Sequence, residues 1–206
     1  PLPIENNVLK TFSIENEPVV ELVNNREREY IFADLPDIGY STDIDTVMAS
    51  SYQVKKQLQQ IVKIEQPITN TLLYKRILRI WNLTRVTTRL QVFIDNLLED
   101  AYKDPLSGDT IIYWEDEEKA KDCDFYRINS KRDILDIPIL EVMSAARYAI
   151  EQQISMPTED LKRLTSQLLG FSRKGNNLDM VTEQTIQLLI DQGIFSHANG
   201  MVSMNN

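Results

Sequence analysis

Apolar positions along this chain fall into helical periods interrupted by turn residues, and the same order of stripes and breaks occurs twice. Between Tyr52 and Ile64 the apolar residues Val54, Leu58, Ile61 and Val62 mark one helical face. Pro67 ends that stripe, since proline lacks the amide hydrogen that a helix interior uses. Leu73, Ile77, Ile80 and Trp81 predict a second helix over about 70–81. Thr84 then stands as an N-cap for a third helix, whose Val86, Leu90, Phe93, Ile94, Leu97 and Leu98 face inward. Pro105-Leu106-Ser107-Gly108-Asp109 is turn chemistry, and Thr110-Ile111-Ile112-Tyr113-Trp114 is a β-rich run.

Shifting the chain by 88 positions overlays this pattern on a second copy. Trp81-Asn82-Leu83-Thr84-Arg85 falls on Leu169-Gly170-Phe171-Ser172-Arg173, Leu90 on Leu178, and Phe93 on Val181. The second copy predicts helices over about 138–152, from Pro157-Thr158 to Leu169-Gly170, and from a Ser172 cap to Gln192, where Gly193 stops the last. Ile194-Phe195 and Met201-Val202-Ser203-Met204, joined through a turn at His197-Ala198-Asn199-Gly200, predict a closing hairpin. Three helices and a two-stranded wing follow the winged variant of the helix-turn-helix plan. The expected fold is therefore α+β, mostly α, with tandem winged-helix-like repeats at 51–130 and 131–206. Residues 1–50 form a leader that packs on the first copy. Within it, Glu17 to Arg28 reads as helical and Arg28 to Leu35 as extended. Glu115 to Asp124 reads as a solvated, charged loop.

The chain has 206 residues and a net charge of −9, unevenly spread. Residues 1–50 carry three basic against ten acidic side chains, whereas residues 51–114 carry nine against six. The acid thus sits mainly in the leader, and the first copy is mildly basic. No apolar run reaches the ~18 residues of a membrane span. A lone cysteine, Cys123, and the lack of a signal-peptide pattern fit a reducing, cytoplasmic setting. A start at Pro1 without an initiator Met is expected of a fragment cut from a longer chain.

Several short motifs resemble a known family. Ile61-Val62-Lys63-Ile64-Glu65-Gln66-Pro67-Ile68 resembles its I-V-x-x-E-x-P-[IV] signature, followed by Trp81-Asn82-Leu83-Thr84-Arg85 as its apolar-x-L-x-R element. Leu169-Gly170-Phe171-Ser172-Arg173-Lys174-Gly175 is similar to its L-G-F-x-R-x-G hallmark, and Ala33-Asp34-Leu35-Pro36 to an upstream element. The family is domain of unknown function 3320, and the resemblance spans roughly residues 28–195. It implies a position at the C-terminus of a bacterial superfamily-one helicase-like protein, with a helicase motor and a restriction-endonuclease-like domain upstream. It transfers no catalytic residue. The first copy departs from the second hallmark, with Thr87 where the second has Gly175, which puts equal function of the copies in doubt.

Catalytic chemistry finds little support. No glycine-rich loop has the Walker spacing. One histidine, His197, and one cysteine are too few for a His/Cys metal site or a convincing triad. Asp109 with Glu117-Glu118-Lys119 resembles a two-carboxylate nuclease set, but it lies in a run dense with like charge. No enzyme activity, cofactor, metal or small-molecule substrate is expected.

The stronger candidate is a nucleic-acid surface, because the third helix of such a unit can enter a DNA groove. Arg85, Thr88 and Arg89 are expected on one helix face, flanked by Lys75, Arg76 and Arg79. Arg173, Lys174, Asn176 and Asn177 form the second patch. The expected partners are DNA, held weakly or with help from the parent chain, and the parent's helicase and nuclease domains, with no membrane. The alternative is a structural module that docks on those domains without touching nucleic acid, in which Met180 and Tyr74 are exposed. A continuous positive surface joining Lys75, Arg79, Arg85 and Arg89 would mark the first reading. Leader carboxylates over those arginines would mark the second.

Overall fold

A computed structural model describes residues 24–40, 42–107, 110–128 and 131–205. Among these the chain is α+β and mostly helical. The first half comprises β1 (Glu27–Glu29), α1 (Ile44–Ala49), α2 (Ser51–Glu65), β2 (Ile68–Thr69), α3 (Asn70–Ile80), α4 (Thr88–Leu97), β3 (Tyr102–Lys103) and β4 (Ile112–Trp114). After α5 (Glu117–Lys121) and β5 (Tyr126–Ile128) come α6 (Ile139–Glu151), β6 (Met156–Pro157), α7 (Thr158–Leu168), α8 (Asn176–Asp191), β7 (Phe195–Ala198) and β8 (Met201–Met204).

The two halves share one topology. Each runs helix, short strand, helix, helix and hairpin, and each orders its sheet with the last strand in the middle: β2-β4-β3 and β6-β8-β7. The starts of α2, β2, α3 and α4 (Ser51, Ile68, Asn70 and Thr88) recur 88 residues later at Ile139, Met156, Thr158 and Asn176. Local chemistry recurs with them. Asn82 and Gly170 both take left-handed φ angles, 50° and 89°, just past α3 and α7. In both, the following amide reaches back over the helix end, Leu83 N–H to the Leu78 carbonyl and Phe171 N–H to the Ser166 carbonyl. Left-handed backbone favours glycine and tolerates asparagine, which accounts for the residue pair at this position. A short turn also precedes each first helix: Asp43 caps α1, and Asp133 caps a 3-10 turn at Ile134–Asp136.

The third helices begin later than the sequence pattern suggests. Thr84 and Ser172 lie in loops, and the N-caps are Thr87 and Gly175. After the left-handed turn the chain needs several extended residues to reverse direction. Thr87, rather than Thr84, is placed to accept the Leu90 amide, at 3.2 Å. The Thr87/Gly175 difference is thus a difference between two residue types that both suit an N-cap. Three further expectations change. Glu115–Asp124 contains the helix α5 instead of being loop throughout, with Asp116 capping it. His197 lies in β7, opposite Val202, and the turn narrows to Asn199-Gly200 with φ angles of 53° and 76°, as a two-residue hairpin requires. The helix expected from Glu17 falls mostly outside the described residues, and its described end is a turn leading into β1.

One core fills the first half, where Val54, Leu58, Ile61, Leu73, Ile77, Leu90 and Ile94 are fully buried, and the leader's Tyr30, Ala33 and Val47 join it. In the second half, Ala146, Ile150, Leu161, Leu189, Phe195 and Val202 form the counterpart. A separate cluster of Tyr126, Ile134, Ile137, Val142, Leu169 and Leu178 seats the connector on the second half.

A buried polar junction bolts the halves together. Glu141, with no exposed surface, accepts from Arg127 at 2.5 Å and from Arg132 at 2.7 Å. Arg127 also donates to the Glu65 and Pro67 carbonyls at the end of α2, at 2.7 and 2.6 Å. Glu65, equally buried, accepts from Tyr30, from the Ala33 amide and from Arg76. Both connector arginines lie over the Tyr30 ring. β1 pairs in parallel with β5, tying the leader to the connector.

Candidate interaction surface

Three of the basic residues singled out in the first half, Lys75, Arg76 and Arg89, are paired with carboxylates. Arg85 is exposed but lies in the loop before α4, so it shares no helix face with Arg89. Thr88 and Arg89 open α4, and Arg89 is paired at 2.8 Å with Asp45 of α1, a leader carboxylate. Lys75 holds the buried Asp136 at 2.7 Å. Arg76 is turned inward, bound to Glu65 and to the Ala33 carbonyl. Arg79 is exposed and lines a shallow cleft with the leader's Asp34 and Asp37. Local spacing held no sign of these pairs, whose members lie far apart in sequence. Tyr74, expected at the surface, is buried, and its hydroxyl donates to Asp95 at 2.7 Å.

In the second half, Arg173 and Lys174 are exposed in the loop before α8, and Asn176 and Asn177 are its first residues. The rest of α8 carries Asp179, Glu183 and Asp191 and no basic side chain. Lys162 of α7 sits beneath them, its head paired with Asp179 and Glu183 at 2.7 Å each and with Glu159 at 3.3 Å. Burial alone would lower the Lys162 pKa; hydrogen bonds to the three carboxylates outweigh it and hold the ammonium charged.

The exposed faces of α4 and α8 each carry an apolar side chain at matching positions of the repeat. Val92 and Met180, 88 residues apart, are 54% and 45% exposed. Pairing the repeats in sequence could have found this match, since neither residue belongs to the inward stripe of its helix.

Among the described residues, no cluster of three His, Cys, Asp or Glu side chains is placed to hold a metal ion. Burial pushes the Cys123 thiol up to about 12, with the Glu141 charge adding to it, so the reactive thiolate is disfavoured. Asp109 lies outside the described residues, while Lys119 and Lys121 on α5 are committed to Glu115 and Glu117. No described helix is long and apolar enough to cross a membrane.

The family described as "Protein of unknown function (DUF3320)" matches residues 49–92. That segment runs from the end of α1 into α4 and contains the Ile61–Ile68 and Trp81–Arg85 motifs. No curated protein and no solved structure matches the chain.

Proposed function

We propose that this chain is a non-catalytic docking module made of two winged-helix units, held as one body and presenting the exposed faces of α4 and α8 to protein partners. The twofold helix-strand-helix-helix-hairpin order, with its last strand central, supports the winged-helix assignment. The single observation that carries docking over nucleic-acid reading is the exposure of Val92 and Met180 at matching positions on α4 and α8. A groove-reading helix needs polar or cationic side chains there to meet base edges and phosphates. An exposed apolar side chain among polar ones suits a protein contact better than a base edge. The pairing of Asp45 with Arg89 points the same way, because the leader neutralises a cation that DNA would need. On the family resemblance, the partner is a motor or nuclease domain of a parent helicase-like protein.

DNA contact is the second reading, favoured by the exposed Arg85, Arg173 and Lys174 in the two loops before α4 and α8. The deciding experiment is fluorescence anisotropy of labelled single- and double-stranded DNA across a salt series, with the Arg85→Glu/Arg89→Glu double variant beside the wild type. The docking reading expects no salt-sensitive binding even at low salt. Binding that weakens with salt and collapses in the double variant would replace it with an electrostatic nucleic-acid site.

A further inference from the structure

An open groove of about 360 Å³ runs along the seam between the two units. Leu106 of the first hairpin, Leu135 of the connector and Met180 of α8 rim it, 37%, 46% and 45% exposed. Ile112, Ile134 and Val181 help to floor it. Among the described residues every side chain lining it is uncharged, in a chain whose net charge is −9. Ile139, the first residue of α6, also lines the groove. Beyond the other end of α6 stands Ile154, 96% exposed, between the uncharged exposed residues Gln153 and Ser155.

Knob and groove therefore lie at opposite ends of one buried helix, roughly 20 Å apart at its rise per residue. Ile154 cannot fill the groove of its own chain, but it can fill that of the next. We propose that the chain associates head to tail with copies of itself, the Ile154 loop of one copy seated in the seam groove of another. The occupant is a second copy because this chain itself carries a knob of matching chemistry: apolar, uncharged and nearly free of contacts. Two bodies of like charge meet most cheaply where neither presents charge, since no ion is desolvated and the repelling groups stay apart. The contact is heterologous, so it leaves a free knob and a free groove at the ends of every assembly until a ring closes. The interface is small and hence weak. The groove shares Met180 with the exposed face of α8, but sedimentation reads self-association alone, so its outcome is separate from whether α4 and α8 dock other proteins.

Sedimentation equilibrium of the full chain tests this from about 20 µM to about 1 mM, the range in which a small interface becomes visible. Wild type is expected to gain mass steadily with concentration, and more so at high salt, where like-charge repulsion is screened. Ile154→Glu and Met180→Glu, both surface changes, are each expected to stay monomeric with an unchanged melting temperature. Mixed one to one, they are expected to associate and stop at the dimer, because each supplies the half the other lacks. A monomeric wild type throughout the range overturns the proposal. So does a wild-type dimer that both variants keep, or a mixture as monomeric as its components.

Discussion

At single residues, the repeat shows which positions are set by backbone geometry. Gly170 turns the chain at φ 89°, and no atom lies within 4 Å of where a Cβ would stand. A substitution there is therefore strained by conformation and not by crowding. Gly170→Ala is expected to cost about 1 kcal/mol, and Gly170→Asn less, since the first half already uses Asn82 there; urea denaturation of both variants measures it. The N-cap pair makes the opposite case. Gly175 is extended, at φ −158°, with open space around it and no side chain to accept an α8 amide. Gly175→Ser should stabilise by a few tenths of a kcal/mol, and Thr87→Ala should lose about 1 kcal/mol, both read as shifts in the urea midpoint. The motif residues were legible in the sequence, and so was their spacing. Which threonine caps α4 was not, because Thr84 and Thr87 are equally suited by type and only the path of the loop separates them.

Between elements, the junction of α2, β5 and α6 is the most demanding part of the fold. Burial would raise the Glu141 pKa, but Arg127 and Arg132 outweigh it and hold the carboxyl at about 2, against an ordinary 4.5. A carboxyl with a depressed folded-state pKa stabilises fully above its unfolded value, and that contribution fades as pH falls toward the folded one. Denaturation midpoints of the wild type should therefore fall between about pH 5 and pH 2. Glu141→Gln should lose about 3–5 kcal/mol at pH 7, since it leaves two buried guanidinium groups short of a partner, and its deficit should shrink over the same acid range. A constant deficit across that range would mean the variant fails through packing alone. Glu65 stood out only as the fixed glutamate of the I-V-x-x-E-x-P-[IV] motif, and Glu141 not at all, since a glutamate in a helical stretch is ordinarily solvent-facing.

For the whole molecule, the polar junction and the β1–β5 pair make the two units interdependent. Heating should give one cooperative calorimetric transition for wild type. Arg127→Met, which removes the donor to both the Glu65 and Pro67 carbonyls, should lower the transition and split it into two. A wild type that melts in two separate steps would show that the junction does not couple the units. The same rigidity fixes the relative placement of α4, α8 and the seam groove, so a partner meets one preset surface.

The kind and order of the main elements were already written in the chain, because helical stripes, proline breaks and left-handed turn positions act over a few residues and recur at a spacing of 88. What the charged residues do was settled by packing alone. Arg89 meets Asp45, Lys75 meets Asp136, and Arg127 meets both Glu141 and the end of α2. Those pairs depend on how distant segments come together, and no local period records that. Part of the basic stripe read along the chain thus became ion pairs, while Arg85 stays exposed, as does the uncharged Val92 of α4.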